Sequence, residues 1–232
     1  MSEMKKPKEI APAKLSATLI LMRDSSNGPE ILLTERPTNM SFAAGNVVFP
    51  GGKVDKADFK AAEAIVQQNN PLDDIEDAAC RIAALRELEE ETALSIAQQN
   101  LEHMAYMAHW ITPIVMPKRF STHFYLFPYE GSQTEQLVSP NEVVRLYWQT
   151  AEEALANLSV GKTTMMFPTR LNIELIARFS KVEEALAFAH DHPVVPVLPE
   201  VYKRDGSIWA RIPEEAGYGV TEFPRDDLII GH

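Results

Sequence analysis

Four glutamates crowd into the run Arg86-Glu87-Leu88-Glu89-Glu90-Glu91-Thr92-Ala93-Leu94, and the spacing of three of them could do chemistry. If the run is a helix turning about 100° per residue, Ile82, Leu85, Leu88 and Thr92 share one sector. Glu87, Glu90 and Glu91 then occupy a roughly opposite sector. Residues three and four apart have Cβ atoms roughly 5–6 Å apart, so three carboxylates share one small patch. At an effective dielectric of ~20 each like-charge pair repels by about 3 kcal/mol, and by under ~1 kcal/mol in water. Two arrangements tolerate that crowding. One is a solvated acidic face; the other is a site for a hard divalent cation, which takes oxygen ligands and bridges carboxylates to phosphates. Upstream, Phe49-Pro50-Gly51-Gly52 favours the second. Paired glycines suit a turn where backbone must come close to a ligand, although an ordinary tight turn also uses them.

These residues resemble the signature of the Nudix hydrolases, G-x5-E-x7-R-E-U-x-E-E-x-G-U with U a bulky aliphatic residue. Arg86 to Leu94 match its second half, with Ala93 where the family has Gly. Gly52 matches the opening Gly, but Arg86 follows it by 34 positions where the signature has 14. About 20 residues are therefore inserted, and the reading places that insert at about 55–74. Counted back from Arg86, the first Glu of the signature falls on Ala78, with Asp74, Glu76 and Asp77 as stand-ins. The same acids also read as start signals for the helix. The resemblance implies that Glu87, Glu90 and Glu91 hold Mg²⁺ or Mn²⁺ and that a backbone carbonyl at Gly52 completes the coordination. It further implies that Arg86 orients Glu87 through an ion pair and that one glutamate also positions the attacking water.

A long insert at this point resembles the branch containing coenzyme A and acyl-CoA diphosphatases. So does Leu32-Leu33-Thr34-Glu35-Arg36 followed by Gly45 and Phe49-Pro50-Gly51-Gly52, with Pro37 and Ser41 departing from the branch pattern. Arg36, Phe49 and Gly51 become substrate-binding candidates, Arg36 because guanidinium matches phosphate bidentately. The segment Thr112-Pro113 to Phe124 resembles the same branch. It nominates Arg119 and Lys118 for phosphates and Phe120 for stacking or an acyl channel, with a core position the alternative for Phe120. His123 reads as a strand histidine ahead of a catalytic base. Glu142, with Glu135 second, would supply a further carboxylate or a base for the water, against a solvated loop acid.

With 45% hydrophobic and 24% charged residues, the 232-residue chain is globular. A net charge of −11 argues against nucleic-acid and membrane partners, while leaving a phosphate substrate open through a bound metal. The single cysteine, Cys80, excludes an intrachain disulfide and reads as a packed side chain in a reducing compartment. Residues 1–9 are polar with no apolar core behind them, so no secretory leader and a cytoplasmic location are expected.

From the N-terminal side, residues 1–13 read as a flexible arm. Leu15–Arg23 and Glu30–Thr34 read as a hairpin, and Phe59–Gln68 as a short helix. Ala105–Thr112 and Thr122–Pro128 read as strands, as does the run ending in Trp148, before a helix opening at Glu152. A helix over 168–190 and a hairpin turning at Asp205-Gly206 complete a C-terminal extension over 168–232. One domain over 14–232 is expected. The resemblance implies an α/β/α sandwich on a mixed sheet and, by family habit, a homodimer. The expected substrate is coenzyme A or an acyl-CoA, cut to a phosphopantetheine and 3′,5′-ADP. ADP-ribose, a dinucleotide or a nucleotide sugar is the alternative, and a non-catalytic nucleotide-binding module the alternative of another class.

Overall fold

The computed structural model describes residues 10–38, 44–67, 72–131 and 143–224. Its spine is β1 (Ala13–Arg23), joined to β2 (Glu30–Glu35) by an antiparallel pairing of Met22 with Ile31. Strands β3 (Asn46–Val48) and β4 (Gly51–Lys53) follow, then helices α1 (Lys56–Val66) and α2 (Ile75–Thr92). A 3-10 turn over Gln98–His103 leads into β5 (Ala105–Ile111) and β6 (Arg119–Pro128). Next come β7 (Arg145–Thr150), α3 (Ala151–Ser159), β8 (Thr164–Met165), α4 (Phe167–Ile176) and α5 (Val182–Asp191). The described chain ends with β9 (Pro196–Val197), β10 (Glu200–Arg204), β11 (Ser207–Arg211) and β12 (Glu222–Pro224).

The main sheet is mixed, in the order β8-β3-β2-β1-β6-β5-β9. β1 runs parallel to β6, from Ala13 opposite Arg119 to Met22 opposite Pro128. Its other edge forks. Near its end it pairs with β2, while lower down Ser16, Ala17 and Thr18 pair with Lys53, Gly52 and Gly51 of β4. β7 pairs along the whole of β2.

Alternation along β1 builds one core on each face. Ala17, Leu19 and Leu21 pack beneath α2 and α1, with Leu88, Leu85 and Tyr125. Ile20 and Met22 face the opposite way, into a core closed by α3, α4, α5 and residues Ile212 to Phe223. Two helical layers around a sheet make the α/β/α sandwich. The C-terminal strands β10, β11 and β12 form a separate three-stranded sheet.

Two boundaries differ from the sequence reading. β1 takes in Ala13, the last residue read as arm, because β6 begins at Arg119 and offers it a partner. The helix expected over 168–190 is two helices. Asp24 accepts a bond from the amide of Val182, Glu184 from that of Ser180, and the Arg178 guanidinium donates to the carbonyls of Gly217 and Tyr218. Those bonds turn the chain between α4 and α5, so one apolar stripe covers the core from two directions.

Candidate functional site

α2 opens at Asp74, whose side chain accepts from the amide of Asp77. Asp77 is itself occupied by Arg81 at 2.6 Å and by the Tyr125 hydroxyl at 2.7 Å. The Arg81 guanidinium also donates to the carbonyls of Leu101 and Met104. These acids fasten the helix and do not replace the first Glu of the signature. Cys80 is buried beside them, and burial pushes its thiol up to about 12, so it is packed and unreactive.

The missing acid is Asp58. It stands six residues after Gly52, where the signature has its first Glu, and residues 59–85 separate it from Arg86 where the signature has seven. Its side chain is 3% exposed and accepts from the amide of Asp55, closing the capping box that starts α1. It also takes Arg86 bidentately, Nε to Oδ1 at 3.1 Å and Nη2 to Oδ2 at 3.0 Å. Arg86 further donates to the carbonyl of Lys53 and to Glu87 at 2.9 Å, and reaches Glu90 at 3.3 Å. Asp58 above all, then Glu87, holds the guanidinium well above its ordinary pKa. Counting forward from Gly52, in place of back from Arg86, would have found Asp58.

The glycines sit where the site needs them. A Cβ on Gly52 would lie 2.3 Å from the Glu87 carboxylate, and one on Gly51 would lie 2.5 Å from the carbonyl of Ala17. The Gly51 amide donates to Glu91 at 3.2 Å, and Arg36 approaches the other Glu91 oxygen at 3.7 Å. Glu91 is therefore enclosed (side chain 7% exposed), while Glu90 is open (51%). The fork in β1 thus presents β4 to three glutamates and two arginines. Among the described residues no group of three or more His, Cys, Asp or Glu is poised around a common metal position. The donor set is nonetheless the all-oxygen kind that suits a hard cation.

Other candidates lie elsewhere. Phe49 is a core side chain, 3% exposed among Ile20, Leu33 and Met165, because alternation turns it to the face opposite α2. Arg119 is committed to structure: its Nε donates to the carbonyl of Thr112 and its Nη1 to that of Ala11. Phe120 is half-buried opposite Lys14, about 13 Å along β1 from Thr18, the partner of Gly51. The structure does not bring Arg119 and Phe120 together with the carboxylates. His123 is buried, stacked on Tyr106, and neither ring nitrogen has a hydrogen-bond partner. Burial, then neighbouring His109, lowers its pKa to about 4. Ser41, Glu135 and Glu142 lie outside the described residues.

Residues 71–166 match the family model described as NUDIX domain. The putative nudix hydrolase 7 of Caenorhabditis elegans is 24% identical over 209 residues, which cover 76% of this chain. The chain spans 64% of that relative's length. The crystal structure of a Nudix hydrolase from Alicyclobacillus acidocaldarius superposes with a TM-score of 0.66 at 22% identity. That likeness covers 77% of this chain and 97% of the other, and it shows the same fold. No helix among the described residues is long and apolar enough to cross a membrane. The match over α2, the shared fold and a Gly52–Asp58–Arg86–Glu87 arrangement assembled around it make this chain similar to the Nudix hydrolases over residues 71–166 and in its fold.

Proposed function

We propose that the chain hydrolyses the diphosphate linkage of a nucleoside diphosphate derivative, with coenzyme A or an acyl-CoA as the first substrate to test. The observation that carries the activity is the packing of the Glu87 carboxylate against the backbone of Gly52, with Arg86 and Asp58 bracing it. Glu87, Glu90, Glu91 and the Gly52 carbonyl would hold Mg²⁺ or Mn²⁺. Bound there, the metal would polarise a phosphoryl oxygen and lower the pKa of water. Arg86 is fully occupied by acceptors, so it positions Glu87 and does not reach substrate. Arg36 lies next to Glu91 and is the arginine nearest the glutamates that remains available for a phosphate oxygen. Glu142 is proposed as the further acid on the water.

The branch motif around Arg36 and Gly45 supports a coenzyme A substrate, and the residues between Asp58 and Arg86 support it through their number. The test is hydrolysis of coenzyme A, acetyl-CoA, a long-chain acyl-CoA, ADP-ribose and NADH with Mg²⁺ or Mn²⁺, products read by mass. Release of 3′,5′-ADP from a CoA species is expected. Cleavage of ADP-ribose or NADH alone keeps the mechanism and removes the coenzyme A assignment. Glu90→Gln is expected to lower turnover by orders of magnitude with the thermal midpoint unchanged or raised, because it removes one like charge from an exposed face. Unaltered turnover would remove Glu90 from the site.

A further inference from the structure

Apolar side chains exposed to solvent gather at one end of the main sheet. The turn between β5 and β6 carries Ile114, Val115 and Met116 in succession, 53, 65 and 48% exposed. Arg119 ties this turn to the chain leading into β1 by donating to both Thr112 and Ala11, and Ile10 beside Ala11 is 57% exposed. β9 runs parallel to β5 with Trp110 opposite Val197, so Leu198, 42% exposed, emerges at the same end. Four adjacent strands at about 4.8 Å spacing bring these residues to a front roughly 14 Å wide. Soluble proteins seldom display so many large apolar side chains together without a partner.

The charges around this front differ from those of the whole. The chain carries −11, yet Lys14 and Lys118 stand exposed here, with Glu200 the acid that follows Leu198 in sequence. We propose that this end docks on an anionic lipid surface, the Ile114-Val115-Met116 turn entering the headgroup region and the lysines meeting lipid charge. Apolar insertion and basic attraction are the two contributions that make a peripheral contact hold. A second copy fits less well, because a two-fold contact through this end would set lysines against lysines. The inference is independent of the reaction at α2.

The test is sedimentation of the full chain with phosphatidylcholine vesicles, with and without phosphatidylserine. Binding is expected to be roughly tenfold stronger with the anionic lipid and to weaken as salt is raised. The triple substitution Ile114→Ser, Val115→Ser, Met116→Ser, all on an exposed turn, is expected to abolish binding with an unchanged thermal midpoint. Lys14→Glu with Lys118→Glu is expected to remove the preference for anionic lipid. Absence of wild-type binding, equal binding to neutral vesicles, or undiminished binding by the triple variant would overturn the proposal. So would a wild-type dimer, in analytical ultracentrifugation, that the triple variant converts to monomer, since the front would then be an interface between copies.

Discussion

Asp58 shows how one buried carboxylate serves two elements. It caps α1 and clamps Arg86 on α2, so removing its charge loosens the helix start and frees a guanidinium from its strongest partner. Breaking a buried pair costs about 3–5 kcal/mol. Here the loss should be nearer ~2–3 kcal/mol, because Arg86 is 27% exposed and keeps Glu87, Glu90 and the Lys53 carbonyl. Asp58→Asn, followed by urea unfolding, is the measurement; a loss below ~1 kcal/mol would mean the pair is solvated. Ala93 is the opposite case. It ends α2 in the left-handed region at φ 55°, where a Cβ is penalised by roughly 1–2 kcal/mol. Ala93→Gly should therefore raise stability by about 1 kcal/mol after its own entropic cost, seen as a higher thermal midpoint. A fall would show that the Cβ is favourably packed.

At the scale of elements, α2 is held at both ends by different means. Asp74 caps its start, while Arg81 ties its first turns to the 3-10 segment through Leu101 and Met104. Removing the cap by Asp74→Ala should cost about 1 kcal/mol and leave turnover nearly intact, since the glutamates lie roughly four turns away. Circular dichroism melts beside a turnover assay would check both halves. A large loss of activity would place Asp74 in the site after all. Helix α2 and its acidic face were legible from apolar spacing alone. The break between α4 and α5 was not, because its causes are Asp24 on a distant loop and the carbonyls of Gly217 and Tyr218. No local propensity reports a partner so far along the chain.

For the whole molecule, acid stability should follow the paired histidines on β5 and β6. His109 and His123 lie 4.2 Å apart between ring centroids, and both have lowered pKa values, that of His123 about 4. The unfolded chain takes up protons near pH 6.5 that the folded protein refuses until lower pH. Stability is thus full above about pH 6.5 and declines as pH falls towards 4, by up to about 3 kcal/mol for His123. His123→Phe should flatten that slope in denaturant titrations from pH 7 to 4, and an unchanged slope would assign it to other groups. The family resemblance, the glutamate-bearing helix and the hairpin at Asp205-Gly206 were all readable from residue type and spacing, which are local. Tertiary structure decided that Asp58 and not Asp74, Glu76 or Asp77 meets Arg86, that Phe49 is core, and that Arg119 closes a turn. The reason is that a carboxylate or guanidinium is defined by its partners, and Asp58 on α1 and Arg86 on α2 stand 28 positions apart in the sequence, so that only the packing of the two helices brings them together.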